Sequence, residues 1–411
     1  MSTLTPVATP WSSHRLAASL FLMLGTDMFV VSPLLPQISA TFGVSSGEAS
    51  VVGWSFALVY AVLSPVAALV TNRYTRRAAM VFGAAIFAVG ALGVSLLPSL
   101  DLVVAARVVT AIGASIMGPP VWSFATETAA PHEVGKAVAG VASYFAAGQI
   151  IGVPLGSLVA QFVSWRWVFL GIAVFGAGLV VLLGTKMGQE KRIPEKVPIQ
   201  SALRDSLGLW RSSTMSYLVV ANFFAQATRY ATYTFAGALL LMRFGWDTAQ
   251  LGLVGASVGL GSLIGAVIGG RLVDRIHASA GPQTALNCIY AAIMTCFIVL
   301  ATAAGNEWLS LLGWVVTFAA GSAFVSNGQE MLTRATGKNR AYALSWNNSA
   351  LYAGTAAGTF TLGLVPLGGP QFILAAGVFG ALAVIASVVL WWRTDSKRIS
   401  LRPGRSGRVG P

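Results

Sequence analysis

Apolar runs of about twenty residues recur along the whole chain, the length an α-helix needs to cross about 30 Å of hydrocarbon. Backbone exposed to lipid has no water to bond, so runs of this length have to be helices. Only 9% of the 411 residues are charged, against about 25% in a soluble domain. That is too few to cover a water-facing surface. The expected fold class is an all-α membrane protein.

Twelve transmembrane helices are expected, at about 16–38, 50–71, 78–98, 101–124, 137–162, 167–186, 214–241, 250–270, 283–303, 308–330, 341–364 and 370–392. Pro98 to Asp101 and Ser164 to Arg166 make tight joins. Residues 1–15 form a polar tail, and the first run is full length with no small-residue cleavage site after it. It reads as a retained span, not a signal peptide. The 26 Lys and Arg fall on the side holding both termini, except Arg166 and Arg243 on the other side and Arg107 and Arg229 inside spans. Basic loops stay cytoplasmic, so both termini are expected inside and the number of spans even. The net charge of +13 then belongs to loops beside the bilayer, and nucleic acid is not an expected partner.

The longest loop, 187–213, is basic and polar. It separates an N-terminal six-helix bundle at 16–186 from a C-terminal one at 214–392, and a basic Arg/Gly/Pro-rich tail at 393–411 is expected to be disordered near anionic head groups. The halves echo each other. Ala68-Leu-Val-Thr-Asn72-Arg73 matches Gly270-Arg-Leu-Val-Asp274-Arg275 at an offset of 202, and Gly148 and Gly152 match Gly354 and Gly358 at 206. Such duplication marks transporters of two pseudo-symmetric bundles, with the substrate site between them near mid-membrane.

Asp27, with roughly ten apolar-rich residues on either side, sits near mid-membrane. An ionised carboxyl there is costly and normally marks an ion pathway. That cost is what would let it exchange a proton near neutral pH; the alternative is a neutral Asp capping a helix broken near Pro33 and Pro36. Arg107 keeps its charge and needs acceptors or water. Asp27 is one candidate partner, in an attraction that protonation would weaken, and carbonyls of a neighbouring helix are the other. In the seventh span Asn222, Gln226 and Arg229 recur at i, i+4, i+7, flanked by Tyr230 and Tyr233. This polar face either lines a cavity or bonds a neighbouring helix. A fixed positive charge among aromatics suits an anionic group or a planar ring. Trp346 and Asn347 in the eleventh span, and Tyr144 and Gln149 in the fifth, join the candidate substrate cavity. Its aromatic content leans towards an amphipathic cargo.

Gly148, Gly152 and Gly156 with Pro154 allow close helix approach and bending, as static packing or as a hinge. Glu127 and Glu330 end the fourth and tenth spans, either as ion pairs closing the cytoplasmic side or as solvated helix-end charges. Cys288 and Cys296 lie about two turns apart on one helix, too far for a disulfide, and are expected as small core residues. Three scattered histidines and two thiols give no metal site, and no nucleotide-binding or enzymatic signature is present. An ion gradient therefore has to drive any pumping, without a cofactor.

These features resemble the major facilitator superfamily, and within it the twelve-span drug:proton antiporters and arabinose-efflux-like permeases. The resemblance rests on Gly25-Thr-Asp27 to Pro36, Asn72-Arg73-Tyr-Thr-Arg76-Arg77, Arg107 with Gly113, Gly148 to Gly156, and Trp165-Arg166-Trp-Val-Phe169. The family's loop pattern, Gly-x-Leu-x-Asp-Arg-x-Gly-Arg-Arg, latches the cytoplasmic ends of the bundles. The resemblance therefore gives Asn72, Arg73, Arg76 and Arg77, with Gly270, Asp274 and Arg275 of the second copy, the role of gate or latch. Asn72 stands where the family has Asp, which weakens the first latch. The span-five run resembles a motif found mainly in exporters, Asp27 resembles the proton-coupling acid of multidrug exporters, and Arg107 matches the family's span-four Arg. The resemblance implies a monomeric bacterial inner-membrane antiporter exchanging protons for a small molecule. The alternative is an uptake symporter or facilitator for a sugar or organic anion.

Overall fold

The structure, a computed structural model, describes residues 11–71, 73–130, 132–188, 199–279 and 283–400. Twelve long helical rods dominate the described residues, with no strand among them. They are α1 (Trp11–Phe42), α2 (Val51–Thr71), α3 (Arg76–Leu96), α4 (Leu100–Thr128), α5 (Val134–Phe162), α6 (Trp165–Lys186), α7 (Ser213–Thr234, resuming as Ala236–Phe244), α8 (Thr248–Ser279), α9 (Gln283–Ala303), α10 (Glu307–Thr336), α11 (Arg340–Gly363) and α12 (Pro370–Ser400). Twelve crossings put the start of α1 and the end of α12 on one face, here the terminal face; the opposite one is the distal face.

Local chemistry explains the joins. Ser99 and Ser164 occupy the N-cap positions of α4 and α6, where a hydroxyl accepts from otherwise orphaned N–H groups. On the distal face Ser45 and Glu48 form a reciprocal capping box on the short helix Ser46–Ala49. The Ser45 backbone N–H and hydroxyl hold the Glu48 carboxyl below its usual range. Two expectations need correction. Residues 393–400 continue α12 as helix instead of starting a disordered tail, because no Gly or Pro interrupts the chain before Pro403. Cys296 is exposed on the outer surface of α9, not buried in a core.

The exterior is apolar: Val89 is 66% exposed and Leu374 68%, a surface suited to lipid tails. The charged residues Asp27, Arg107 and Arg229 are buried instead. α1–α6 pack among themselves as one bundle and α7–α12 as the other. The internal duplication is visible in the packing. A Cβ on Gly148 of α5 would collide with the Leu22 carbonyl of α1, and one on Gly354 of α11 would collide with the Phe223 carbonyl of α7.

The bundles meet along α2 against α11, α5 against α8 and α1 against α7. At the distal face Gly47 lies against Gly363. There Gln37 Nε2 donates to Thr248 Oγ1 at 2.9 Å, and the Thr248 N–H donates to Gln161 Oε1 at 3.0 Å. Further in, the Gly237 N–H donates to Ser32 Oγ at 3.2 Å and the Ser32 hydroxyl to the Tyr233 carbonyl. Deeper still, the Tyr60 and Tyr352 rings stack with centroids 4.0 Å apart, the Ser349 hydroxyl donates to the Ala61 carbonyl, and Asn348 Nδ2 reaches Ser64 Oγ at 3.5 Å. This series of contacts holds the halves together from the distal face to past the middle of α2 and α11.

Candidate functional site: a buried ion pair beside the seam of the two halves

α1 runs unbroken through Pro33 and Pro36, so Asp27 caps no broken end. Its carboxylate faces α4, where Arg107 Nη1 donates to Oδ1 and Oδ2, both at 2.8 Å. Asp27 is 0% exposed and Arg107 1%. Both sequence alternatives for Arg107 are realised together, since its Nε also donates to the Val52 carbonyl of α2 at 3.0 Å. The guanidinium lies 4.7 Å from the Phe56 ring and 5.7 Å from the Phe169 ring, so cation–π attraction adds to the pairing. One side chain thus ties α1, α2, α4 and α6 together.

Thr26, the neighbour of Asp27, touches α5 at its irregular point. Residues Gly148–Gly152 form a π-helical turn just before Pro154. Proline has no N–H to return to the preceding turn, and a wider turn absorbs the mismatch. The Thr26 hydroxyl lies 3.3 Å from the Gly148 carbonyl. A Cβ on Gly152 would overlap the Thr26 side chain, and one on Gly156 would come within 2.9 Å of Val30. On its other flank α5 meets α8, where Gly252 leaves room for Pro154 and Ser157, and Gly259 for Gln149 and Ile150. α5 is therefore the close-packed link between α1 of its own half and α8 of the other.

Beside the ion pair, between the halves, lies a cavity of about 30 Å³ lined by Phe29, Phe56, Arg107, Tyr230, Tyr233 and Thr355 among others. That space admits about two waters. Tyr230 and Tyr233 come from α7, as the polar stripe suggested. The Phe29 ring meets Tyr230 at 5.4 Å, Tyr233 at 5.3 Å and Phe318 at 6.1 Å. Phe29 and Phe318 were not singled out in the sequence, because a lone Phe in an apolar run carries no signal. The shift of α1 by 202 residues onto α7 would have drawn the eye to this neighbourhood.

The other sequence candidates scatter more widely. Asn222 Nδ2 donates to the Asn347 carbonyl at 2.8 Å and Gln226 Nε2 to Asn222 Oδ1 at 2.7 Å, so both serve the α7–α11 seam. Arg229 lies behind Tyr230, its guanidinium 4.2 Å from that ring. Gln149 is buried at the α5–α8 seam, with its Oε1 unpartnered. Tyr144 instead lines a second small cavity within the N-terminal half, with Trp11 and His14. Trp346 is turned away from the central cavity: its Nε1 donates to Ser206 Oγ at 2.9 Å and its ring meets Trp210. An indole N–H needs an acceptor when buried, and the connecting helix Ile199–Gly208 supplies one.

At the terminal face Arg76, buried, pairs with Glu127 at 2.8 Å, and Arg77 Nη2 donates to the Gly184 carbonyl. These contacts brace α3 against α4 and α6. Glu330 pairs with Arg334 at 2.6 Å and accepts from Gln283 Nε2, bracing α10 against α9. The contacts so described lie inside one half or the other. Arg73, Gly270, Asp274 and Arg275 are exposed, and Asn72 lies outside the described residues. No cluster of metal-ligating side chains occurs among the described residues.

The family model described as "Major Facilitator Superfamily" matches residues 17–326 and 218–410. The Bacillus subtilis MFS-type transporter YceJ is 25% identical over 382 residues, covering 92% of this chain and 95% of that one. The chloramphenicol resistance protein of Streptomyces lividans is 29% identical over 288 residues, covering 66% and 70%. Among solved structures, a D-xylose-proton symporter superposes with a TM-score of 0.75 at 18% identity, over 93% of this chain and 98% of that one. The last likeness bears on the fold alone.

Proposed function

The chain belongs to the major facilitator superfamily, and on that premise we propose that it exports a small amphipathic molecule across the bacterial inner membrane in exchange for protons. It is a transporter and not an enzyme. The observation that carries the proposal is the fully buried Asp27–Arg107 pair beside the central cavity. A buried ion pair is poor evidence for stability, so its presence calls for another reason, and intramembrane acids commonly serve proton pathways. Its position on α1 supplies the coupling. Five residues beyond Asp27, the same helix carries Ser32 and its bonds to Tyr233 and Gly237 of the other half. A proton on Asp27 removes the charge attraction to Arg107 and loosens α1 from α4, and the movement reaches the distal closure through a continuous helix.

In this scheme the terminal face is cytoplasmic and the central cavity opens to either side in turn. A proton enters from outside and neutralises Asp27, and cargo binding from the cytoplasm favours its release inward. Each charge crossing 100 mV supplies about 2.3 kcal/mol, so the gradient suffices without a cofactor. One chain contains both halves of the cavity, which makes a monomer sufficient. The relative named for chloramphenicol resistance supports export. A second reading, uptake of a sugar or organic anion, rests on Arg229, a buried positive charge beside Tyr230 of the cavity wall.

The test is Asp27→Asn in proteoliposomes. The variant should keep its folded yield and lose uphill transport on an imposed pH gradient. Uphill transport retained in that variant removes Asp27 from the mechanism. The direction of counterflow in the unmodified protein separates export from uptake.

A further inference from the structure

The two halves differ at one equivalent position. The offset of 202 residues that aligns Asn72-Arg73 with Asp274-Arg275 also aligns Asp27 with Arg229. In the first half the buried charge has its counter-ion. In the second it does not. Arg229 is 2% exposed, and no carboxylate pairs with it among the described residues. Its Nη1 donates to Ser322 Oγ at a long 3.3 Å, and its Nε has no partner. A guanidinium has five donors, and the Nε–H is one that no group answers here.

The surroundings make room for the group without neutralising it. The guanidinium lies 4.2 Å from the Tyr230 ring and 5.2 Å from the Phe318 ring. On the α10 side stands Gly321, where a Cβ would come within 2.8 Å of Nη1. Aromatic faces offset part of the cost of burying a cation, but an unpaired charge in a low-dielectric interior remains costly until an anion arrives. The rings beside it, Tyr230 and Phe318, also meet Phe29 at the cavity wall. Tyr230 touches both, lining the cavity and lying 4.2 Å from the guanidinium.

We propose that Arg229 is the anion anchor of the transport site and that the cargo is an amphipathic organic acid. Its carboxylate pairs with the guanidinium through the unpartnered Nε and a neighbouring Nη, and its apolar body lies among Phe29, Tyr230, Tyr233 and Phe318. This rests on the transporter reading above but not on the proton step. A planar carboxylate matches the guanidinium fork with two parallel bonds, which an ammonium group cannot reproduce. The pairing also gives the cavity a reason to close, since the anion attracts α7 and α10 around it.

The experiment uses full-length protein in nanodiscs at one pH on both sides, with phenylalkanoates of increasing chain length and their uncharged amides as probes. Ligand-induced thermal stabilisation gives the affinities. The carboxylates should bind about tenfold or more tighter than the matching amides, the scale of a charge-assisted bond. In Arg229→Gln that preference should vanish, leaving acids and amides equal, while Arg229→Lys should restore it only in part. Asp27→Asn should keep the preference while losing pH-driven transport, so the two proposals fail separately. Equal binding of acids and amides by the unmodified protein overturns the anchor. So does binding of neutral or cationic amphiphiles alone, or the absence of binding by any carboxylate. If Arg229→Gln does not fold, chloride and nitrate competition against the carboxylates in the unmodified protein decides instead; no competition overturns it.

Discussion

Arg107 Nη1 sits 2.8 Å from each oxygen of the Asp27 carboxylate while the same side chain's Nε holds the Val52 carbonyl at 3.0 Å. The guanidinium is thus shared between a charge that can be cancelled and a carbonyl that cannot. In the proton-coupled scheme proposed above, protonating Asp27 would leave Arg107 attached to α2, and α1 would be the element released.

Removing one partner of this pair should be far worse than removing both. Arg107→Ala strands a carboxylate in the interior, and breaking a buried pair costs about 3–5 kcal/mol. Its unfolding temperature in detergent should fall sharply. Adding Asp27→Asn should return much of that loss, a coupling that a double-mutant cycle reads directly. Additive effects of the two substitutions would mean that the pair is not formed in the folded protein.

The glycines separate into two groups with opposite expected outcomes. Gly354→Ala places a methyl group against the Phe223 carbonyl of α7, whereas nothing lies within 4 Å of a Cβ on Gly171. The first should destabilise by about 1–3 kcal/mol, the usual cost of overpacking; the second should change stability little. Thermal unfolding of the two variants in the same detergent checks the contrast. Equal behaviour would mean that α7 and α11 do not approach as closely as their backbones do here.

What the sequence made legible follows from periodicity and charge. Apolar length gives the twelve helices, and the Arg and Lys distribution gives their even number, because both follow from the bilayer as a solvent. The lone acid and base of the first half also stand out, since each is expensive where it lies, and they do meet. Side-chain direction is where legibility stops. Nothing local distinguishes Tyr230, on the cavity, from Tyr144, in a separate pocket, or tells that Trp346 turns to Ser206. The break at Phe235 in α7 and the π-helical turn at Gly148 are likewise products of packing. Phe29 and Phe318 become site residues only through the company they keep.

The distribution of basic residues makes a claim about sidedness that labelling can decide. Arg204, on the connecting helix, and Asp247, at the distal face, are both exposed. With Cys288 and Cys296 replaced by Ala, single cysteines at the two sites should react oppositely with a membrane-impermeant maleimide. Arg204→Cys should label in inside-out vesicles and Asp247→Cys in intact cells. Basic loops fail to cross bacterial membranes, so the reverse pattern would invert the topology and with it the direction of the proton step.

Alternating access requires the distal closure to open, and one contact allows it to be held shut. Gln37 of α1 and Thr248 at the start of α8 bond across the halves at 2.9 Å, on the same face where Gly47 lies against Gly363. Cysteines at positions 37 and 248, again with Cys288 and Cys296 replaced by Ala, should join readily through a short bis-thiol reagent. A joined molecule can reach its terminal-open state but not its distal-open one, so exchange across the membrane should fall by about tenfold or more, as for any gated cycle with one gate locked. Cargo binding from the terminal side should survive the same treatment, which separates a locked gate from a damaged protein. Each single-cysteine variant, treated identically, should transport normally. Undiminished transport in the cross-linked molecule would show that the halves do not part at this face and that cargo leaves by another route.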